Sequence, residues 1–312
     1  MFNYIVRRIL LLIPLLFSIS LLIFGILKLT PGDPAIMLLG ERATEESIKL
    51  TRKKFALDKP LYVQYVKMMQ NFFNGELQSI YYKENVIVVV GKRLKSTLEL
   101  GFSALFLAIF ISIPAGIISA VKRNSFFDYA SMTTALLGMS LPVFFTGILM
   151  IYLFAVTLKI LPVSGYGGDL FTLEGLKHIL MPALVLSFTL MPSTTRITRS
   201  SMLEVIREDY IRTARAKGVK ERSVILVHAL HNALIPITTN IGNQLARLFA
   251  GAVLTETVFA WPGVGRLAVS AIFRRDEPLV FGCVLLLSGV YVIVNLGVDL
   301  FYSVLNPQIR YE

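Results

Sequence analysis

Arg7-Arg8-Ile9-Leu10-Leu11-Leu12-Ile13-Pro14-Leu15-Leu16-Phe17-Ser18-Ile19-Ser20-Leu21-Leu22-Ile23-Phe24-Gly25-Ile26-Leu27 decides what kind of fold this chain can have. Two arginines are followed by nineteen residues without a charge. At about 1.5 Å of rise per helical residue, such a run crosses most of the roughly 30 Å of hydrocarbon in a bilayer. A secretory signal also begins with positive charge. Here the apolar run is too long for one, and no small-x-small cleavage site precedes Thr30-Pro31-Gly32-Asp33-Pro34, so an uncleaved span is expected. The rest of the chain agrees: of 312 residues 55% are hydrophobic and 16% charged, where a soluble domain carries about 25% charged. A single cysteine excludes a disulfide framework or an all-cysteine metal site. The net charge of +11 invites a nucleic-acid reading. The apolar majority argues against it, because multispanning membrane proteins concentrate Lys and Arg in their loops.

Further apolar segments lie at 98–121, 132–158, 179–197, 234–259 and 279–305, which makes six spans in an all-α polytopic membrane protein. Prolines 114, 142, 182, 192 and 236 fall within or at the ends of these segments, where neighbouring helices tolerate them. With six spans, Arg7, Arg8, Lys122, Arg123, the basic cluster from Arg196 to Arg222 and Arg310 share one side. The short loops opposite carry only Lys159, Lys177, Arg266, Arg274 and Arg275. The positive-inside rule then puts both termini in the cytoplasm. Residues 30–97 hold eleven Lys and Arg on the outer side, but loops of this length translocate largely regardless of charge. Leu61, Tyr62, Tyr65, Val66, Met69, Phe72 and Phe73 have helical spacing there. The expected organisation is thus 1–29 as N terminus and first span, 30–97 as an extracytoplasmic helical insert, 98–305 as a five-helix core with a cytoplasmic segment at 200–233, and 306–312 as a cytoplasmic tail. No fixed-period repeat is visible, which disfavours a carrier built from inverted repeats.

Motifs for covalent or nucleotide chemistry are missing. Gly91-Lys92 lacks the spacing and hydroxyl of a P-loop, and the glycines at 165–168 and 263–265 fit turns better than a dinucleotide fold. His228 and His231 have no carboxylate or thiolate neighbour and make a poor metal pair. Cys283 sits among apolar residues of the last span. No catalytic residue, metal site or bound cofactor is expected.

Residues 200–219 form the most informative polar stretch. Met202, Val205, Ile206, Tyr210 and Ala214 give an apolar stripe, with Arg207, Glu208, Arg212 and Arg215 on the other faces, which predicts an amphipathic helix. Gly218 suits a left-handed C-terminal stop. A second short helix around 221–229 is expected before the fifth span. On pattern alone, such a helix presents a rigid knuckle to the cytoplasm or lies on anionic lipid.

The run Glu208-Asp209-Tyr210-Ile211-Arg212-Thr213-Ala214-Arg215-Ala216-Lys217-Gly218 resembles the cytoplasmic coupling loop of permease subunits of binding-protein-dependent ABC importers. It departs from the common Glu-Ala-Ala-x-x-x-Gly form. Arg212 and Thr213 take the Glu and first Ala places, Ala214 and Gly218 keep theirs, and Pro236 lies further on than usual. This form is similar to the peptide/nickel branch. Thr30-Pro31-Gly32-Asp33-Pro34, Leu57-Asp58-Lys59-Pro60, Thr97-Leu98-Glu99-Leu100-Gly101, Asn306-Pro307-Gln308-Ile309-Arg310 and, most specifically, the run from Leu254 through Trp261-Pro262-Gly263-Val264-Gly265-Arg266 support it. The resemblance spans Tyr4 to Arg310 and is greatest to the first permease of dipeptide importers. Gly75-Glu76-Leu77-Gln78 departs where relatives tend to read Gly-Asp-Leu-Gly.

The resemblance implies a type I ABC importer permease fold, a place in the cytoplasmic (inner) membrane of a prokaryote, and import of di- or oligopeptides. The partners it implies are a second related permease, two cytoplasmic ATPase subunits carrying ATP and Mg, and an extracytoplasmic solute-binding protein. Residues Arg212, Thr213, Ala214, Arg215, Ala216, Lys217 and Gly218 would dock in an ATPase groove and pass its closure to the spans as rigid-body rotation. Nickel and glutathione importers have similar permeases and stay open as alternatives.

Ionisable and amide residues inside a span mark a functional path by default. Asn240, Asn243, Gln244 and Arg247 fall on one face of the fifth span. They either line the translocation path, with Arg247 attracting a peptide carboxylate, or join this helix to a neighbour. Asn295 and Asp299 in the last span fit packing or helix-end bonding. At the outer mouth, Glu256, Trp261, Pro262 and Gly263 belong either to an aromatic belt or to a structured outer loop, and the resemblance favours the loop. A proton-coupled peptide carrier would show mid-membrane carboxylates, and the fifth span offers only Glu256 near its outer edge. A membrane-anchored scaffold would leave the polar span unexplained.

Overall fold

The structure is a computed structural model that describes residues 2–29, 34–39, 44–54 and 57–305. Among these residues the chain is helical, with no strand beyond an isolated Gln78–Asn85 bridge. The helices are α1 (Phe2–Leu29), α2 (Pro34–Leu39), α3 (Glu45–Lys54), α4 (Leu61–Phe73), α5 (Val86–Val121), α6 (Phe126–Ser140), α7 (Val143–Met150), α8 (Leu173–Ser187), α9 (Met191–Val205), α10 (Asp209–Ala216), α11 (Glu221–Ser223), α12 (Leu230–Val258), α13 (Val264–Phe273) and α14 (Glu277–Leu305). Wider π-helical turns extend α7 over Ile151–Thr157 and join α11 to α12 over Val224–Ala229.

α1, α5, the helix running from α11 into α12, and α14 are each long and apolar enough to cross a bilayer. The other two spans are broken. α6 and α7 meet at 110°, and α8 and α9 at 60°. Counting each pair once gives the six spans read from the sequence, with 132–158 and 179–197 each falling on a bent pair rather than on one continuous helix. Pro142 supplies the reason for the first break: it pushes Leu141 into extended backbone (φ −90°, ψ 129°) and caps α7. At the second, Pro192 has no N–H to donate, and the hydroxyls of Ser187 and Thr189 donate to the carbonyls of Leu184 and Leu186.

The chain divides into two compact units. The first joins Met1–Thr97 to Pro262–Val292. Its core gathers Phe72, Leu77, Val86, Val264, Leu267, Phe281 and Cys283. α4 forms where the aromatic spacing predicts it, yet it buries only Tyr65 and Phe72. Tyr65 bonds Ser20 at 2.7 Å and meets the edges of Phe17 and Phe24 on α1. Lys28, near the end of α1, pairs with Glu277 at the start of α14 at 2.9 Å. The buried Asp276 carboxylate accepts from the Ser79 hydroxyl and from the N–H groups of Tyr81 and Leu279, so it caps α14 and holds the 79–81 loop.

The second unit joins Leu98–Trp261 to Ile293–Glu312. α9 lies against both α6 and α12. α5 comes so near α9 that a Cβ on Gly116 would stand 2.5 Å from Thr198 Cβ and 2.8 Å from the Thr195 carbonyl oxygen. Arg199 grips the buried Asp128 carboxylate with two bonds, of 2.6 and 2.8 Å, and Ser119 and the Asn124 N–H also donate to it.

Candidate functional site

The stretch 200–218 does not form one helix. α9 ends at Val205, the N–H groups of Arg207 and Glu208 bond three residues back, and Glu208 becomes extended before α10 starts at Asp209. Asp209 suits that start, since a carboxylate in the first turn favours the positive end of the helix. Ile211 anchors α10: it is fully buried with Met202, Val224 and Ala233. Ala214 and Val219 pack against the same cluster.

α10 closes in a Schellman turn. Val219 N–H donates to the Ala214 carbonyl at 3.2 Å and Gly218 N–H to the Arg215 carbonyl at 2.9 Å, with Gly218 at φ +77°. Arg215 then reaches over the turn and makes two bonds, of 3.1 and 2.8 Å, to the Glu221 carboxylate. These bonds hold the guanidinium above its ordinary pKa. Tyr210 accepts from Asn232 on α12 at 2.6 Å. Arg212, Thr213, Arg215, Ala216, Lys217 and Gly218 are left exposed on one closed knuckle, with Ala214 half-buried beneath. The short helix expected around 221–229 is present as α11 and the π-helical turn, but it runs directly into α12 rather than standing apart from it.

Along α12 the predicted polar face divides. Asn240 accepts from Ser193 at 2.9 Å and donates to Thr194 at 3.3 Å, and the buried Gln244 donates to the same Thr194 hydroxyl. Both amides therefore join α12 to α9. Asn243 is exposed. The side chain of Arg247 lies outside the described residues. In the last span Asn295 is half-buried, and the side chain of Asp299 is likewise outside them.

Glu256 and Trp261 are both buried, to 0% and 1% exposure. Trp261 is therefore no lipid-facing belt residue. It packs edge-on against Tyr166 at 4.9 Å within a core that includes Leu100 and Ile179. Its backbone N–H donates to the Glu256 carbonyl at 2.8 Å, and Gly165 N–H donates to the Phe259 carbonyl at 2.9 Å. These contacts hold Ala260 at φ +51°, a conformation that costs an L-residue about 1–2 kcal/mol. Pro262 and Gly263 lead into α13, whose first N–H, that of Val264, donates to Thr97 at 2.8 Å.

The sequence reading missed the Asp128–Arg199 pair and the Asp276 cap. Each had a signal: an acid at the start of a span, an arginine at the end of another, and an Asp just before the last apolar run.

Comparison with known proteins agrees with this architecture. Residues 112–311 match the family described as "Binding-protein-dependent transport system inner membrane component", and residues 1–100 match its N-terminal companion family. The chain is 41% identical, over the whole of both chains, to the di/tripeptide transport system permease protein DppB of Pseudomonas aeruginosa and to the dipeptide transport system permease protein DppB of Escherichia coli K12. It is 40% identical over full length to the glutathione transport system permease protein GsiC of Escherichia coli. Among solved structures, the inward-facing MetNI methionine ABC transporter superposes with a TM-score of 0.57 at 17% identity, covering 70% of this chain and 97% of that one. The chain belongs to the inner membrane components of binding-protein-dependent transport systems, a multi-pass permease of the type I ABC importer fold.

Proposed function

We propose that this permease carries dipeptides or oligopeptides into the cell, driven by ATP hydrolysis on separate subunits. The full-length identity to dipeptide permeases carries the reading. In it, the chain pairs with a second permease, receives peptide from an extracytoplasmic solute-binding protein, and docks ATPases on the Arg212–Gly218 knuckle. The geometry supports that last role. Ile211 seats the knuckle on the core, Arg215 bonds across its turn to Glu221, its outer face is unburied, and the helix that starts at Glu221 is continuous with α12. A push on α10 thus reaches a span through one short turn. Both termini are cytoplasmic in this reading, and ATP and Mg stay on the partners.

The test is uptake of labelled dipeptide into vesicles holding the assembled importer. Uptake is expected to require ATP and to stop with vanadate, whereas vanadate-insensitive uptake contradicts the reading. Gly218→Trp is expected to leave the subunit in the membrane and ATP hydrolysis running while uptake stops, because only the left-handed turn is disturbed and nothing lies within 4 Å of its Cβ position. Unchanged uptake in that variant removes the coupling role. The glutathione permease relative supports a second reading, in which the cargo is that tripeptide thiol. Competition separates them: excess glutathione leaves dipeptide uptake intact in the first reading and abolishes it in the second.

A further inference from the structure

In the first unit, a cleft of about 170 Å³ is lined by Arg93, Arg266 and Arg274 together with Tyr82, Gly263 and Ser270. Among the described residues no Asp or Glu lines it. Arg274 is held in place by stacking on the Tyr81 ring, 3.6 Å from its centroid. Arg93 and Arg274 bring two positive charges to one cleft, so the arrangement suits an anion. The space is smaller than the roughly 300–1,000 Å³ that encloses a small molecule, and it fits one phosphate-sized group rather than a peptide. Guanidinium forks match phosphate oxygens two at a time.

Depth identifies where such a phosphate comes from. α5 has 36 residues, and at about 1.5 Å each it exceeds the hydrocarbon thickness by roughly 24 Å. The excess is its basic N-terminal part, with Lys92, Arg93 and Lys95. Arg93 precedes the apolar stretch from Leu98 by about 7.5 Å of helix, which is headgroup depth. Arg274 caps the end of α13, just before α14 begins at Glu277. Beside it Ile272 and Phe273 are 57% and 84% exposed, an apolar surface next to the charge. We propose that Arg93 and Arg274, with Arg266 beside them, bind the phosphodiester headgroup of an anionic phospholipid, in the leaflet that the N-terminal end of α5 enters. Ser270 adds a hydroxyl donor. The site does not depend on what the transporter carries.

The test uses the full chain in its assembled importer, purified in detergent and supplied with phosphatidylglycerol or phosphatidylcholine, with bound lipid counted by native mass spectrometry. Wild type is expected to retain one more phosphatidylglycerol per chain than the Arg93→Gln/Arg274→Gln variant and to show no such difference with phosphatidylcholine. Loss of the two charges should weaken retention about 30-fold. The charge-conserving Arg93→Lys/Arg274→Lys variant checks folding and should keep most of the lipid. Equal phosphatidylglycerol retention by wild type and the Gln variant overturns the proposal. Displacement of the lipid by millimolar inorganic phosphate assigns the site to free phosphate and overturns the lipid source. A co-purifying acidic protein lost from the Gln variant, with lipid unchanged, assigns it to protein docking instead.

Discussion

Asp128 and Arg199 meet across 71 positions of sequence, and the carboxylate is buried while the guanidinium keeps about a quarter of its surface. Removing one partner strands the other. Asp128→Ala should cost about 3 kcal/mol, near the low end for breaking a buried pair because Arg199 retains some water. Asp128→Leu/Arg199→Leu should cost much less, since neither charge is left behind. Thermal aggregation midpoints in detergent check both, and a double variant as unstable as the single one removes the argument. Hydropathy marks such residues as unusual in apolar surroundings but does not name their partners. Asn240 and Gln244 make the same point. Their polar face was legible from spacing, whereas Ser193 and Thr194, which receive it, read as ordinary helix surface. Gln244→Leu should therefore lower stability by about 0.6–1.7 kcal/mol, the range of interhelical bonds in membranes, and leave residual uptake intact. The exposed Asn243 should behave oppositely, with Asn243→Leu impairing uptake and sparing the melting midpoint.

Between helices, contact distance decides what the chain tolerates. Gly116→Ala places a methyl group into Thr198 and the backbone of α9, so it should destabilise the protein by about 1–3 kcal/mol. At Gly289 on α14 nothing lies within 4 Å, and the same replacement should cost nothing. Melting midpoints of the two variants, measured side by side, test whether close helix approach rather than glycine itself is what matters. The helices themselves were largely legible, because an uncharged run long enough to cross a bilayer has few other uses. Their breaks were less so. Pro142 and Pro192 stand among several prolines of similar appearance, and Pro114, Pro182 and Pro236 remain inside unbroken helices. Whether a proline ends a helix depends on which neighbours take up the freed carbonyl, and that information is not local. The same limit explains the division of 200–218 into α9 and α10: the apolar stripe continues across the turn, so periodicity alone does not reveal it.

At the scale of the whole molecule, topology is the property to test. A reporter cysteine at exposed Arg212 should react with a membrane-impermeant maleimide only after the cells are opened, and one at exposed Phe73 should react on intact cells. The reverse pattern inverts the proposed orientation and moves the knuckle away from any ATPase. Each such variant would carry just one other sulfhydryl, because Cys283 is the sole cysteine of the chain and is fully buried in the core of the first unit. The native protein should thus be silent toward the reagent, and every position of this transporter can be surveyed by single substitutions without first engineering a cysteine-free background.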